Sequence, residues 1–114
     1  MRFLFRRWSV SKRRARYMRA LELIESSVDP RQDPHEYLAQ LNRLFRAVAL
    51  RAFPGTASTR LQGSAWVGFL RSLLPDGKES ESLSALEIGP YQPKPEFDVA
   101  GLSAMAREWV KRYG

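Results

Sequence analysis

Apolar residues recur every three or four positions along most of this chain, which is the spacing of one face of an α-helix. The first segment with this spacing has four apolar residues in register, namely Tyr17, Leu21, Ile24 and Val28. Ser9 or Ser11 can cap its start, and Asp29 and Pro30 follow its end. We therefore expect a first helix that runs to about Ser27.

The second helix has the clearest start signal in the sequence. Asp33 suits the N-cap, Pro34 the first helical position and Glu36 the first turn. On a helical wheel one arc then holds seven apolar residues: Tyr37, Leu38, Leu41, Leu44, Phe45, Val48 and Ala52. The Phe-Pro-Gly sequence at 53–55 ends the pattern, so this segment is predicted to be the central core helix.

Two further helices are predicted after a Thr/Ser-rich loop. Gly63 and Ser64 open the third helix, whose apolar positions are Trp66, Phe69, Leu70, Leu73 and Leu74. Asp98 can cap the last helix, in which one face holds Leu102, Met105, Ala106, Trp109 and Tyr113.

The stretch between these two helices has few helical signals. Residues 75–77 predict a turn, residues 78–82 a solvated loop, and residues 83–86 have room for one short helical turn. Pro90, Pro93 and Pro95 then force an extended segment that carries Tyr91 and Phe97. Since no alternating strand pattern is present, the predicted fold class is all-α: a small bundle of about four helices with a Pro-rich extended strap before the last helix.

Composition is that of one folded domain. The 114 residues are 44% hydrophobic and include three Trp and six Phe, which suffices for a single modest core. There is no Cys, which excludes disulfides and Cys-based zinc sites and fits a reducing compartment such as the cytosol.

Positive charge is concentrated at the N-terminus. Residues 1–20 contain no acid and eight basic residues: Arg2, Arg6, Arg7, Lys12, Arg13, Arg14, Arg16 and Arg19. The other 11 basic residues are opposed by all 12 acids, so residues 21–114 have a formal charge of −1. We therefore divide the chain into a basic arm, residues 1–20, that merges into helix one, and a helical domain, residues 21–114.

The arm fits a polyanionic partner, and two interpretations remain open. Trp8 stands beside Arg7 and near Phe3 and Phe5, and aromatic rings among basic side chains are typical of a membrane interface. The alternative is a nucleic-acid-binding protein that uses the arm. Residues 57–74 can be drawn as a helix-turn-helix, but the second helix offers base edges only one charged side chain, Arg71.

No catalytic motif stands out. His35 is the only histidine, and Gly77 and Lys78 lack the rest of a phosphate-binding loop. Acids such as Glu96 and Asp98 are interpreted as solvated charges and a helix cap, because no spacing pairs two of them as an acid and a base. The sequence therefore predicts neither an enzyme nor a bound metal or cofactor.

Residues 61–70 carry the most specific pattern, Leu-Gln-Gly-Ser-Ala-Trp-Val-Gly-Phe-Leu. It resembles the Leu-Thr-Gly-x-x-Trp-x-x-Phe-Leu signature of a bacterial family, the domain of unknown function 4381 family, with Gln62 in place of Thr. The resemblance spans about residues 12–113. Its signature residues, which we expect to be structural, are Leu61, Gly63, Trp66, Phe69, Leu70, Tyr91, Pro93 and Trp109.

The resemblance implies a place at the membrane. Members of that family look like single-pass inner-membrane proteins with one transmembrane helix, a run of arginines and a helical cytoplasmic domain, and the basic run matches residues 6–19. We therefore expect the cytoplasmic face of the bacterial inner membrane, with a transmembrane helix that these 114 residues do not include. The family is usually encoded beside MoxR-type AAA ATPases and von Willebrand factor A-domain proteins, which implies a protein partner of one of these kinds.

Overall fold

Five α-helices form the protein in a computed structural model that describes residues 2–55 and 60–114, with the backbone alone for residues 2–9. The helices are α1 (Arg2–Ser27), α2 (Pro34–Ala52), α3 (Gly63–Leu73), α4 (Ser84–Ile88) and α5 (Val99–Tyr113). Two 3₁₀ turns flank α4, at Lys78–Leu83 and Gly89–Tyr91. The described residues include no strand, so the predicted all-α class is confirmed.

The core is built around α2, against which α1 and α5 pack. Seven residues of α2 are buried: Tyr37, Leu38, Leu41, Leu44, Phe45, Val48 and Ala49. This is the predicted apolar arc, except that Ala49 is buried and Ala52 is only half-buried. Opposite it lie Leu21 and Ile24 from α1, and a row from α5 that includes Leu102, Met105 and Trp109. Each fully buried Leu or Phe contributes about 1.5–3 kcal/mol relative to its exposed state, so this face is the main source of stability.

The two predicted N-cap residues behave differently. Asp98 caps α5, because its Oδ1 accepts a hydrogen bond from the Gly101 backbone N–H at 3.0 Å. Asp33 occupies the N-cap position of α2 but makes no side-chain cap hydrogen bond. The start of α2 instead follows from Pro34, whose ring presets the helical φ at a position where no N–H is needed.

Three details differ from the sequence prediction. Helix α1 begins at Arg2 rather than at Ser9 or Ser11, since no Gly or Pro interrupts residues 2–27 and most of them favour helix. Residues 78–83 are a 3₁₀ turn packed on α5 rather than a solvated loop, because Leu83 is fully buried there. The short turn expected at 83–86 is α4, which makes five helices rather than four. The predicted Thr/Ser-rich loop lies, at residues 56–59, outside the described residues.

The strap, which we define as residues 92–97, crosses the N-terminal end of α2. Tyr91, expected to be extended, lies in the 3₁₀ turn just before it. His35 Nε2 donates a hydrogen bond to the Gln92 carbonyl oxygen at 2.6 Å, and the Phe97 ring stacks on Tyr37 with centroids 5.9 Å apart. Pro95 is buried. These contacts fix the strap to α2 at both of its ends.

Candidate interaction surfaces

One face of α1 points away from the helical bundle. On it lie Lys12, Arg16, Arg19 and Leu23, at the spacing of a single row along a helix. All four side chains are exposed, and Leu23 keeps 66% of its accessible surface. Leu21, on the opposite side of the helix, is fully buried. These four residues, which we call the outer row, therefore form a basic surface that the bundle does not cover.

The arm and helix one are a single continuous helix of 26 residues, about 39 Å long at 1.5 Å per residue. Arg14 is exposed and Arg13 is half-buried. The other residues predicted to contact an anionic surface have side chains outside the described residues: Arg2, Arg6, Arg7 and Trp8.

The signature tryptophan of α3 joins that helix to α2. Trp66 is buried, and its indole Nε1 donates a hydrogen bond to Asn42 Oδ1 at 2.7 Å. The Arg46 guanidinium lies 4.3 Å from the centre of the Trp66 ring, which is a cation–π contact. Phe69 stacks on Trp66 with centroids 5.9 Å apart, and Leu70 is fully buried. These three signature residues therefore hold α3 on the core.

The remaining signature residues fall into two groups. Leu61 packs against the core, Trp109 is fully buried, and Gly63 has a φ of +57°, a backbone conformation that favours glycine. Tyr91 and Pro93, by contrast, lie at the surface, and Tyr91 keeps 86% of its accessible surface. The structural role expected for these two residues is therefore not packing in the hydrophobic core.

A groove of about 820 Å³ opens where α1 ends, α2 and α5 begin, and the strap passes between them. Its charged lining consists of Glu25, Arg31, Glu96 and Asp98, and its aromatic lining is the stacked pair of Tyr37 and Phe97. Pockets that bind small ligands span about 300–1,000 Å³, so the groove has the volume of a binding site. Its charge is predominantly acidic in a chain whose net charge is +7.

Tyr37 is a buried side chain at the groove. It is only 1% exposed, and its hydroxyl has no hydrogen-bond partner among the described residues. Burial, and to a lesser extent the Glu25 carboxylate, raises the pKa of Tyr37 above its ordinary value of 10.0, although Arg107 opposes the shift. The hydroxyl is therefore protonated at neutral pH and has its hydrogen-bonding capacity unused.

The three carboxylates of the groove have different partners. Both oxygens of Glu25 are engaged, since Arg107 Nη2 donates to Oε2 at 2.6 Å and Ser103 Oγ donates to Oε1 at 2.7 Å. Asp98 uses Oδ1 to cap α5. Glu96 is exposed and makes no ion pair with any residue of the described chain. Glu96 is therefore the carboxylate most open to a ligand.

Sequence reasoning did not find this groove. The sequence predicts a solvated charge at Glu96 and a helix cap at Asp98, and nothing in the local pattern relates them to Glu25 or Tyr37. The only sequence signal is an aromatic residue, Phe97, placed between two acids directly after a run of prolines. That pattern indicates a rigid, acidic strap but not the surface that it faces.

Within the described residues the groove includes neither His35 nor a metal-binding cluster. His35 contacts the strap and does not line the groove. Residues 2–55 and 60–114 contain no group of three or more His, Cys, Asp or Glu side chains that could hold a metal ion. Within those ranges no helix is both long enough and apolar enough to cross a membrane.

Comparison with known proteins identifies the family. The sequence profile described as "Domain of unknown function (DUF4381)" matches residues 1–112, which is nearly the whole chain. No curated protein and no solved structure matches. The matched range includes both the outer row of α1 and the residues of the groove. The chain belongs to the DUF4381 family, as the signature at residues 61–70 had indicated.

Proposed function

We propose that this protein is a membrane-held interaction domain, in which the basic arm and the outer row lie on an anionic membrane surface and the helical bundle docks a protein partner. The observation that carries the proposal is the direction of the outer row. Because the bundle packs on the other side of α1, a flat surface can contact Lys12, Arg16 and Arg19 together. The anionic leaflet that such a surface fits is the cytoplasmic face of the bacterial inner membrane.

The charges of the outer row are sufficient for reversible binding. A basic side chain near an anionic leaflet contributes about 1 kcal/mol, so Lys12, Arg16 and Arg19 together contribute about 3 kcal/mol. This corresponds to about a hundredfold in the partition constant. The exposed Leu23 can enter the headgroup region at the end of the row, while the Lys and Arg side chains extend their charged ends to the phosphates.

Vesicle co-sedimentation tests the role of the outer row. We expect Lys12→Glu/Arg16→Glu/Arg19→Glu to lower binding to phosphatidylglycerol-containing vesicles by at least about a hundredfold. The matched control is Arg43→Glu/Arg51→Glu/Lys111→Glu, whose three residues are exposed on other helices. Both variants change the net charge from +7 to +1. Equal loss of binding in the two variants would show that net charge, and not the outer row, governs the interaction.

The alternative function, nucleic-acid binding through the arm, is separated by a salt titration. Backbone contacts to phosphates weaken steeply with salt and carry no sequence preference. Binding to a duplex that retains sequence preference at physiological salt, together with no binding to vesicles, would replace the membrane proposal.

For the partner, we propose a MoxR-type ATPase or a von Willebrand factor A-domain protein. This part rests on the family resemblance and on the exposed Tyr91 and Pro93, which are signature residues without a place in the core. Exposed aromatic residues are frequent centres of protein interfaces. Pull-down of each purified candidate by the full chain, compared with Tyr91→Ala, tests it. A partner that binds Tyr91→Ala as well as the wild type would place the contact elsewhere.

A further inference from the structure

We infer that the groove lined by Glu25, Tyr37, Glu96, Phe97 and Asp98 binds a lysine or arginine side chain presented by an extended segment of a partner protein. The inference deepens the proposed function and rests on it in one respect, that the bundle docks a protein. It assigns the docking position to the face between the strap and α1 and assigns a positive charge to the bound residue.

The charges that line the groove favour a cationic ligand. Three of the four charged residues that line the groove are acids, and the fourth, Arg31, is exposed. Glu25 is already paired with Arg107, so the carboxylates left for a ligand are those of Glu96 and Asp98, both on the strap side. Asp98 uses one oxygen to cap α5, and its side chain is exposed. A cation that enters from solvent therefore meets these two carboxylates at the rim.

The Phe97 ring at the groove also favours a cationic side chain. Phe97 is half-buried and stacks on the buried Tyr37 at an interplanar angle of 10°, which holds the accessible part of the Phe97 ring rigidly beside the two carboxylates. Aromatic rings next to carboxylates suit an ammonium or guanidinium group, which gains cation–π attraction in addition to the ion pair. The same surface allows the methylene stem of a lysine or arginine to pack against it.

The Tyr37 hydroxyl, which finds no partner among the described residues, independently favours a ligand that donates hydrogen bonds. A buried hydroxyl without a partner loses its hydrogen bonds to water and receives nothing in return, which is uncommon in folded proteins. The oxygen is an acceptor, and an ammonium or guanidinium group consists of donors only. A cationic side chain that enters the groove and displaces the atoms covering this hydroxyl would supply the donor that it lacks. A metal ion fits less well, since the described residues hold no cluster of three ligating side chains.

The strap makes the groove a preformed site. Residues 92–97 contain two prolines and are held to α2 through His35 and through the Tyr37–Phe97 stack. Gly89, just before the strap, lies so close to α2 that an added Cβ would be 2.5 Å from Leu38 Cδ1. Little ordering of the chain is then required on binding, which favours recognition of a short segment.

NMR titration of the full ¹⁵N-labelled chain with the peptide acetyl-Gly-Ser-Lys-Ser-Gly-amide tests the inference. We expect amide shifts concentrated at Tyr37, Phe97 and Ser103, and no shifts with the same peptide carrying acetyl-lysine, which has no charge. The two peptides differ only in the charge of one side chain, so localised shifts that require the charged lysine are diagnostic of a cation-binding site. Shifts spread over other surfaces, or equal shifts with acetyl-lysine, would overturn the assignment.

Three variants identify the contributing groups. Glu96→Gln and Tyr37→Phe should each weaken the peptide at least about threefold, and Phe97→Leu should weaken it about two- to fivefold, because they remove a charge, an acceptor and a cation–π surface. The control is Glu79→Gln, an exposed acid that does not line the groove. Wild-type affinity in both Glu96→Gln and Tyr37→Phe would refute the site.

The outcome is separable from that of the vesicle experiment. No residue of the outer row lines the groove, so the outer-row variant should bind the peptide like the wild type. Peptide binding without vesicle binding would leave the groove in place and reject membrane attachment. Vesicle binding without peptide binding would support membrane attachment and reject the groove as a binding site.

Discussion

Removal of a single oxygen atom from the core is expected to stabilise this protein. The substitution is Tyr37→Phe, which keeps the ring that stacks on Phe97 and deletes only the hydroxyl. Most substitutions of buried residues destabilise, so the sign of the effect is itself informative. The sign follows from the hydroxyl of Tyr37, which is buried and finds no hydrogen-bond partner in the part of the chain that the structure describes.

The magnitude follows from desolvation. A buried polar group that loses water and gains no partner costs about 1–3 kcal/mol, and Phe avoids that cost. The shape of the ring is unchanged, so the packing energy is retained. We expect a gain of about 1 kcal/mol in the free energy of unfolding. For a chain of 114 residues this corresponds to a rise in Tm of about 4 °C.

The assay is urea denaturation followed by tryptophan fluorescence, with Tyr113→Phe as the matched control. The Tyr113 hydroxyl donates a hydrogen bond to the Leu73 carbonyl oxygen at 2.7 Å, so the same chemical change there removes a satisfied hydrogen bond between α5 and α3. A satisfied hydrogen bond contributes about 0.5–1.5 kcal/mol, and Tyr113→Phe should therefore destabilise. The two Tyr→Phe variants are expected to differ in sign.

A loss of stability in Tyr37→Phe equal to that in Tyr113→Phe would refute this reasoning. It would show that the Tyr37 hydroxyl is hydrogen-bonded in solution. The groove would then contain no acceptor in need of a donor, and the Tyr37 hydroxyl would no longer favour a cationic ligand there.

Three further predictions concern the ionisation of Tyr37, the Trp66–Asn42 hydrogen bond and the close approach of Gly89 to α2. The folded state raises the pKa of Tyr37 above 10.0, so the tyrosine ionises first in the unfolded chain and the free energy of unfolding falls as the pH rises from 10.0 through the raised value. In urea titrations from about pH 9 to 11, Tyr37→Phe should therefore lose less stability than the wild type. Asn42→Ala leaves the buried Trp66 indole N–H without its acceptor and should lower the free energy of unfolding in urea by about 1–3 kcal/mol. The control Arg43→Ala, at an exposed position, should lower it by under about 0.5 kcal/mol. Equal losses would contradict the hydrogen bond. Gly89→Ala should lower the free energy of unfolding by about 1–3 kcal/mol, and with it the thermal midpoint, since its Cβ would overlap Leu38. The control Gly68→Ala, whose Cβ would meet nothing within 4 Å, should be neutral or stabilising. A neutral Gly89→Ala would show that Leu38 moves aside freely.

Local signals account for most of the fold. The apolar arc of α2, the Pro34 start and the Asp98 cap are visible in the sequence because helix periodicity and capping depend on residues within one or two turns. The same holds for the signature around Trp66, which identified the family. Local signals were least informative at residues 78–83, where burial of Leu83 against α5 converts an apparently solvated loop into a packed turn.

The functional surfaces divide in the same way. The basic arm is a property of the sequence, since eight basic residues and no acid stand in the first twenty positions whatever the fold. Which of these charges share one outward face was decided by packing, because burial of Leu21 and Ile24 turns the outer row away from the bundle.

The acidic groove depends entirely on tertiary structure. Glu25 lies at the end of α1, Tyr37 at the start of α2, and Glu96 and Phe97 on the strap. No periodicity relates positions so far apart in the chain, and only the packing of α1, α2 and α5 brings them to one site. The sequence by itself therefore determined the helices, the family and the charge of the arm. Tertiary structure alone decided the outer row, the exposure of Tyr91 and the groove, because each depends on contacts between elements rather than on neighbours along the chain.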